Sequence, residues 1–188
     1  MIKSYQRRHL RAPFKESVLF ADDWYVHKAK GLNISEGGIL LGELPNFPTE
    51  DEVPLLMSLP QFPSLKNFSL LKMETFAKEL FPRQVIRAKG RMVRREELKQ
   101  NLDNIFRSNF ALEFVHITEK DQKHIQHFVE NFACNLIFLQ TLIDSFNTDD
   151  ETKLKVRTLA RILGYTEVEK ISQLRAQVTR DYKSLQWL

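Results

Sequence analysis

Up to about residue 118 the apolar residues recur with a period of two, in short runs separated by turn residues, which is the pattern of β-strands. Residues 17–20 form a first run ended by Asp22 and Asp23. Residues 24–34 form a second, ended by Gly37 and Gly38, and residues 39–41 follow at once. A fourth run, 53–59, is bounded by Pro45, Pro48 and Pro60, none of which can donate to a central ladder. Ile86, Ala88, Gly90 and Met92 alternate with Arg87, Lys89 and Arg91. Phe106, Phe110, Leu112 and Phe114 alternate with Arg107, Asn109 and Glu113, so these two runs read as half-buried antiparallel neighbours. Strands at such short spacing suggest a small barrel or sandwich. The connection 61–84, with Leu70, Leu71, Phe76 and Leu80, breaks the pattern and has room for a short helix.

Beyond Ile117 the period changes. Thr118 suits an N-cap, Glu119 and Asp121 suit a first helical turn, and positions 125, 128, 129, 132, 136, 139 and 143 are apolar at helical spacing, predicting one long helix to about Phe146. Its second half, with Leu136, Ile137, Leu139, Leu142 and Ile143, is apolar on more than one side, so it needs more than one packing partner. Residues 154–163 and 168–185 predict two further helices, separated at Gly164, a natural helix stop. They predict that the chain forms a homo-oligomer, a dimer first of all, through these C-terminal helices; the competing expectation is that their stripes cover the long helix within the chain.

Composition narrows the class. A chain of 188 residues, 43% apolar, can bury a substantial core. Its net charge of +4 is unevenly placed: residues 1–30 and 153–188 are positive and the middle is negative. This suggests anionic partners at the termini rather than a general nucleic-acid coat. No run reaches the roughly 18 to 20 apolar residues of a membrane span, and the arginine-bearing start lacks the apolar stretch of a secretory signal. The one cysteine, Cys134, lies in an apolar helical run, where an inert buried thiol is expected. It excludes an intramolecular disulfide and suits a reducing cytoplasm.

Two constellations could carry chemistry. Arg7, Arg8 and Arg11 place three guanidiniums in five residues, each with planar paired donors for phosphate or guanine edges. The second is Asn33-Ile34-Ser35-Glu36-Gly37-Gly38 at a strand end. Alternation puts Leu32 and Ile34 on the core side and Asn33 and Ser35 on the solvent side, while the glycines allow a tight turn and the approach of something bulky. A basic tail and an ordinary hairpin are the plain readings of each alone. Other chemistry finds little support. His116, His124, His127 and Glu130 lack a second ligand pair and predict no metal site, and Ser35 lacks the glycine two before it that a nucleophile elbow requires. An enzyme is not expected.

Taken together and in this order, the arginine pair Arg7 and Arg11, some two dozen residues, then Asn33, Ser35 and Gly38, the two motifs resemble those of the PilZ domain, a bacterial receptor module for cyclic di-GMP. The resemblance covers about residues 5–135. It implies a mainly β fold with α: a six-stranded antiparallel barrel closed by the long helix, with residues 1–135 as the ligand-binding domain and 136–188 as a C-terminal helical extension. It also implies a cytoplasmic receptor that needs no cofactor or metal, contacts cyclic di-GMP through Arg7, Arg8, Arg11, Asn33, Ser35, Gly37 and Gly38, and changes conformation to regulate a downstream protein partner in bacterial signalling. The family often has Asp where Asn33 stands. The alternative is a DNA-binding regulator using 153–188 as a helix-turn-helix-like tail, although Glu167 and Glu169 at the start of the would-be recognition helix disfavour nucleic acid.

Overall fold

Alternation builds strands here because each side chain that leaves the core face is replaced, one residue on, by a charged or polar one that water accepts. The computed structural model describes residues 9–44, 48–78, 81–97, 108–145, 149–166 and 170–185. Its strands are β1 (Arg11–Pro13), β2 (Ser17–Asp22), β3 (Tyr25–Ser35), β4 (Gly38–Leu44), β5 (Glu52–Pro60), β6 (Arg83–Glu97) and β7 (Ser108–Ile117), and its helices are α1 (Leu70–Lys78), α2 (Glu119–Asp144), α3 (Asp150–Ile162) and α4 (Ile171–Leu185). The strands lie in the order β1-β3-β2-β5-β6-β7-β4. β3 also pairs with β4, which closes a six-stranded antiparallel barrel with one extra strand, β1. Two compact units result: residues 13–60 with 83–129, and residues 1–12 with 61–82 and 130–188.

In the barrel unit, Val18, Phe20, Ile34, Ile39, Leu41, Val53, Leu55, Met57, Ile86, Phe110 and Leu112 are buried, as the period of two requires. The expected pairing of the last two runs is the β6–β7 ladder; Phe106 and Arg107 lie outside the described residues. The start of α2 caps this core. The Thr118 hydroxyl accepts from the Asp121 amide at 3.1 Å, and Phe128 meets Phe14 edge-on at 6.0 Å. Trp24, by contrast, does not join β3. It is 91% exposed beside Asp23, whose φ of 55° makes the turn between β2 and β3. The neighbouring Asp22 carboxylate anchors the chain near Thr49 by accepting from the Thr49 amide at 3.0 Å and the Glu50 amide at 3.1 Å. Burial pushes this carboxyl up, but those bonds, the Thr49 hydroxyl and the charge of His27 outweigh it and hold the group below its usual value.

In the helical unit Leu136, Leu139 and Ile143 of α2 are buried, as are Val156, Leu159, Ile162, Leu174, Val178 and Leu185 of α3 and α4, while Ile137 of α2 stays exposed. The Arg175 guanidinium donates to the Ile143 carbonyl at 2.7 Å, so one of the cations of the supposed DNA-reading helix serves the C-terminal end of α2. Asp149 caps α3 by accepting from the Thr152 amide at 2.7 Å, and Gly164, at φ 85°, ends it. The connection 61–82 is held by Asn135. This buried amide accepts from the Leu65 amide at 2.7 Å and donates to the Pro63 carbonyl at 2.9 Å. Cys134 corrects an expectation: it is exposed, because the apolar stripe of α2 runs through Phe132, Ala133 and Leu136 and leaves position 134 on the outer side.

Candidate functional site

The polar motif occupies the β3–β4 hairpin, where Ser35 pairs with Gly38, Ile34 with Ile39 and Asn33 with Leu40. The strict alternation expected of this strand is broken by a bulge. Gly31 pairs with Leu41 and Asn33 with Leu40, which leaves Leu32 as the extra residue. Leu32 is therefore half-buried rather than a core partner of Ile34, and a Cβ on Gly42 would stand 2.9 Å from its Cδ1. Ile34 is fully buried. Ser35 is not on the solvent side: it is 8% exposed, and its hydroxyl donates to the Gly38 carbonyl at 3.2 Å within the hairpin.

The glycines act through space, not through unusual backbone angles, since neither Gly37 nor Gly38 has a positive φ. A Cβ on Gly38 would collide with the Leu112 carbonyl of β7. What comes close at this turn is thus a strand of the same barrel, and the Gly37 carbonyl accepts from the Phe114 amide at 3.0 Å. The sequence carries no local signal for this contact, because Leu112 and Phe114 lie more than seventy residues away. Ser35, Gly37 and Gly38 are engaged by the fold, whereas the Asn33 carboxamide is half-buried and has no hydrogen-bond partner among the described residues.

Of the arginines, Arg11 opens β1 and is half-buried; Arg7 and Arg8 lie outside the described residues. Across the barrel wall, Glu113 pairs in register with both Gly38 and Arg91, and Arg91 grips Glu52 through two nitrogens at 2.7 and 3.0 Å. Hydrogen bonds from Arg91 and then Lys89 hold the Glu52 carboxyl below its usual range, which leaves this patch nearly balanced in charge. Among the described residues no three His, Cys, Asp or Glu side chains gather as a metal site; His116 and His127 are exposed. No described helix is long and apolar enough to cross a membrane.

The fold is thus a small closed antiparallel barrel with a polar hairpin at one end. The chain belongs to the PilZ family: the model of the PilZ domain matches residues 5–131, a span that contains both motifs. No curated protein sequence matches it. Among solved structures it is similar to the Bacillus subtilis inhibitor of motility MotI/DgrA, with 16% identity and a TM-score of 0.47, over 66% of this chain and 50% of that one. It is also similar to the PilZ domain with c-di-GMP of YcgR from Escherichia coli, with 10% identity and a TM-score of 0.41, over 66% of this chain and 88% of that one. The chain thus matches half the length of the first of these proteins.

Proposed function

We propose that this protein is a cyclic-di-GMP receptor that regulates a protein partner, with Arg7, Arg8 and Arg11 gripping the nucleotide and Asn33, Ser35, Gly37 and Gly38 forming the hairpin end of the site. The observation that carries this reading is the family match over residues 5–131. The unpartnered Asn33 carboxamide supports it, since a half-buried amide without a partner is readily satisfied by a base edge. In this reading Ser35, Gly37 and Gly38 shape the hairpin and offer backbone groups, while Asn33 makes the side-chain contact. Because an amide has one acceptor oxygen where a carboxylate can accept two guanine N–H groups, Asn33→Asp should tighten binding.

Calorimetric titration of the full chain with cyclic di-GMP tests the proposal. Saturable binding is expected, preferred over GTP and linear dinucleotides. Arg7→Ala and Arg11→Ala should each weaken it about thirtyfold, the equivalent of about 2 kcal/mol for a lost charge-assisted contact. If both variants bind like the parent, or the parent does not bind at millimolar ligand, the assignment is wrong.

A further inference from the structure

A cleft of about 600 Å³ opens in the helical unit between α1, α3 and α4, within the size range of small-molecule pockets. Two of its lining residues, Arg157 and Arg161, stand one helical turn apart on α3, which brings them onto one face. Neither guanidinium makes an ion pair or hydrogen bond among the described residues, whereas Lys153 and Lys155 on the same helix are paired with Asp150 and Glu151. Two adjacent, unneutralised guanidiniums repel each other and are relieved by an anion that accepts from both.

A second observation comes from Thr158, which lies between them in sequence and also lines the cleft. It is only 3% exposed, and its hydroxyl has no hydrogen-bond partner among the described residues. No fully enclosed side-chain nitrogen or oxygen among those residues lacks a partner, so the Thr158 hydroxyl opens onto the cleft. Facing the cleft, that hydroxyl is available to donate to a group bound there. Leu154, Ile171 and Leu174 supply an apolar part of the wall, Tyr165 and Thr166 line it too, and Glu74 of α1 is the single acidic group among the described lining residues.

We propose that this cleft is a second ligand site, distinct from the hairpin motif, for a small molecule with an apolar body and one carboxylate or phosphate group. The anionic group bridges Arg157 and Arg161, the Thr158 hydroxyl donates to it, and the body lies against Leu154 and Leu174. Among the described lining residues the ionised groups are two guanidiniums and one carboxylate, a balance that favours an anion over a cation or a neutral molecule.

The test is titration of the full chain, by calorimetry and thermal shift, with phenyl phosphate, phenylacetate and inorganic phosphate in parallel. Saturable binding of at least one aromatic anion at millimolar concentration or below is expected, with the stronger of the two identifying the head group. Arg161→Gln, a change on an exposed side chain, and Thr158→Val, which keeps the buried shape, should each weaken that binding at least tenfold. Unchanged affinity in both variants would overturn the site, as would the absence of saturable binding by either aromatic anion. Inorganic phosphate binding as tightly as phenyl phosphate would overturn the apolar subsite.

Discussion

The barrel and the helical unit use polar side chains in opposite ways. In the barrel, Ser35 apart, polar groups sit on the outer face and the fold is held by backbone ladders and alternating apolar residues, so the Asn33 amide is spare. In the helical unit the chain is irregular between residues 61 and 70, and the buried side chain of Asn135 supplies the partners that a ladder would otherwise provide. Asn135 makes two such bonds to backbone groups at Pro63 and Leu65. The lesson is that an amide's role follows from whether backbone around it is already satisfied, not from its type.

That contrast can be broken by substitution. The largest effect is expected for Asn135→Ala, which orphans the Leu65 amide and the Pro63 carbonyl and should destabilise the helical unit by about 2 to 4 kcal/mol in chemical denaturation. If the loss is below about 1 kcal/mol, the buried amide is not what holds the connection. Gly38→Ala forces a Cβ against the Leu112 carbonyl and should cost about 1 to 3 kcal/mol, as overpacking does, with the barrel's ladders reporting the change by hydrogen exchange.

Tyr165→Phe comes next. The Tyr165 hydroxyl donates to Asp181 at 2.7 Å, and burial, together with that bond, pushes its phenol far above the ordinary range, so it stays protonated at any working pH. Its loss should cost about 1 kcal/mol without any pH dependence near neutrality. Asp22 provides a smaller, pH-linked effect. Its carboxyl is lowered in the folded state, so its contribution is present above its unfolded value of 3.8 and is lost as pH falls through the lower folded value. Asp22→Asn should therefore narrow its stability gap to the parent in acid, and a gap that is constant from pH 7 to 2 would contradict the assignment. Asn33→Ala should be smallest, within about 0.5 kcal/mol in stability, while still lowering nucleotide affinity.

Most of the barrel was legible from alternation alone, since Val18, Phe20, Leu55, Met57, Ile86 and Phe110 announce their face by period. β1 was not, because three residues carry no period. The bulge at Leu32 was equally silent: one inserted residue changes which neighbours share a face without altering the composition of the run. That Ser35 turns into the fold while Asn33 does not was invisible too, because both lie past the bulge on one side of the alternation and only the Ser35 bond within the hairpin separates them. The helices were readable by spacing and caps, including Thr118 and Gly164. The cleft around Thr158 was not, because its wall is completed by α1, some eighty residues earlier in the chain.

The bond between Asn135 and Leu65 also sets an order of events during synthesis. Every strand of the barrel has been made once residue 117 emerges, whereas the segment 61–82 must wait for a side chain seventy positions further on than Leu65. At roughly 5 to 20 residues per second, translation leaves that segment without its anchor for about 4 to 14 seconds. A ribosome-bound chain halted when residue 117, but not Asn135, has cleared the exit tunnel should accordingly be cut by protease within 61–82 and protected there once residue 188 has cleared it.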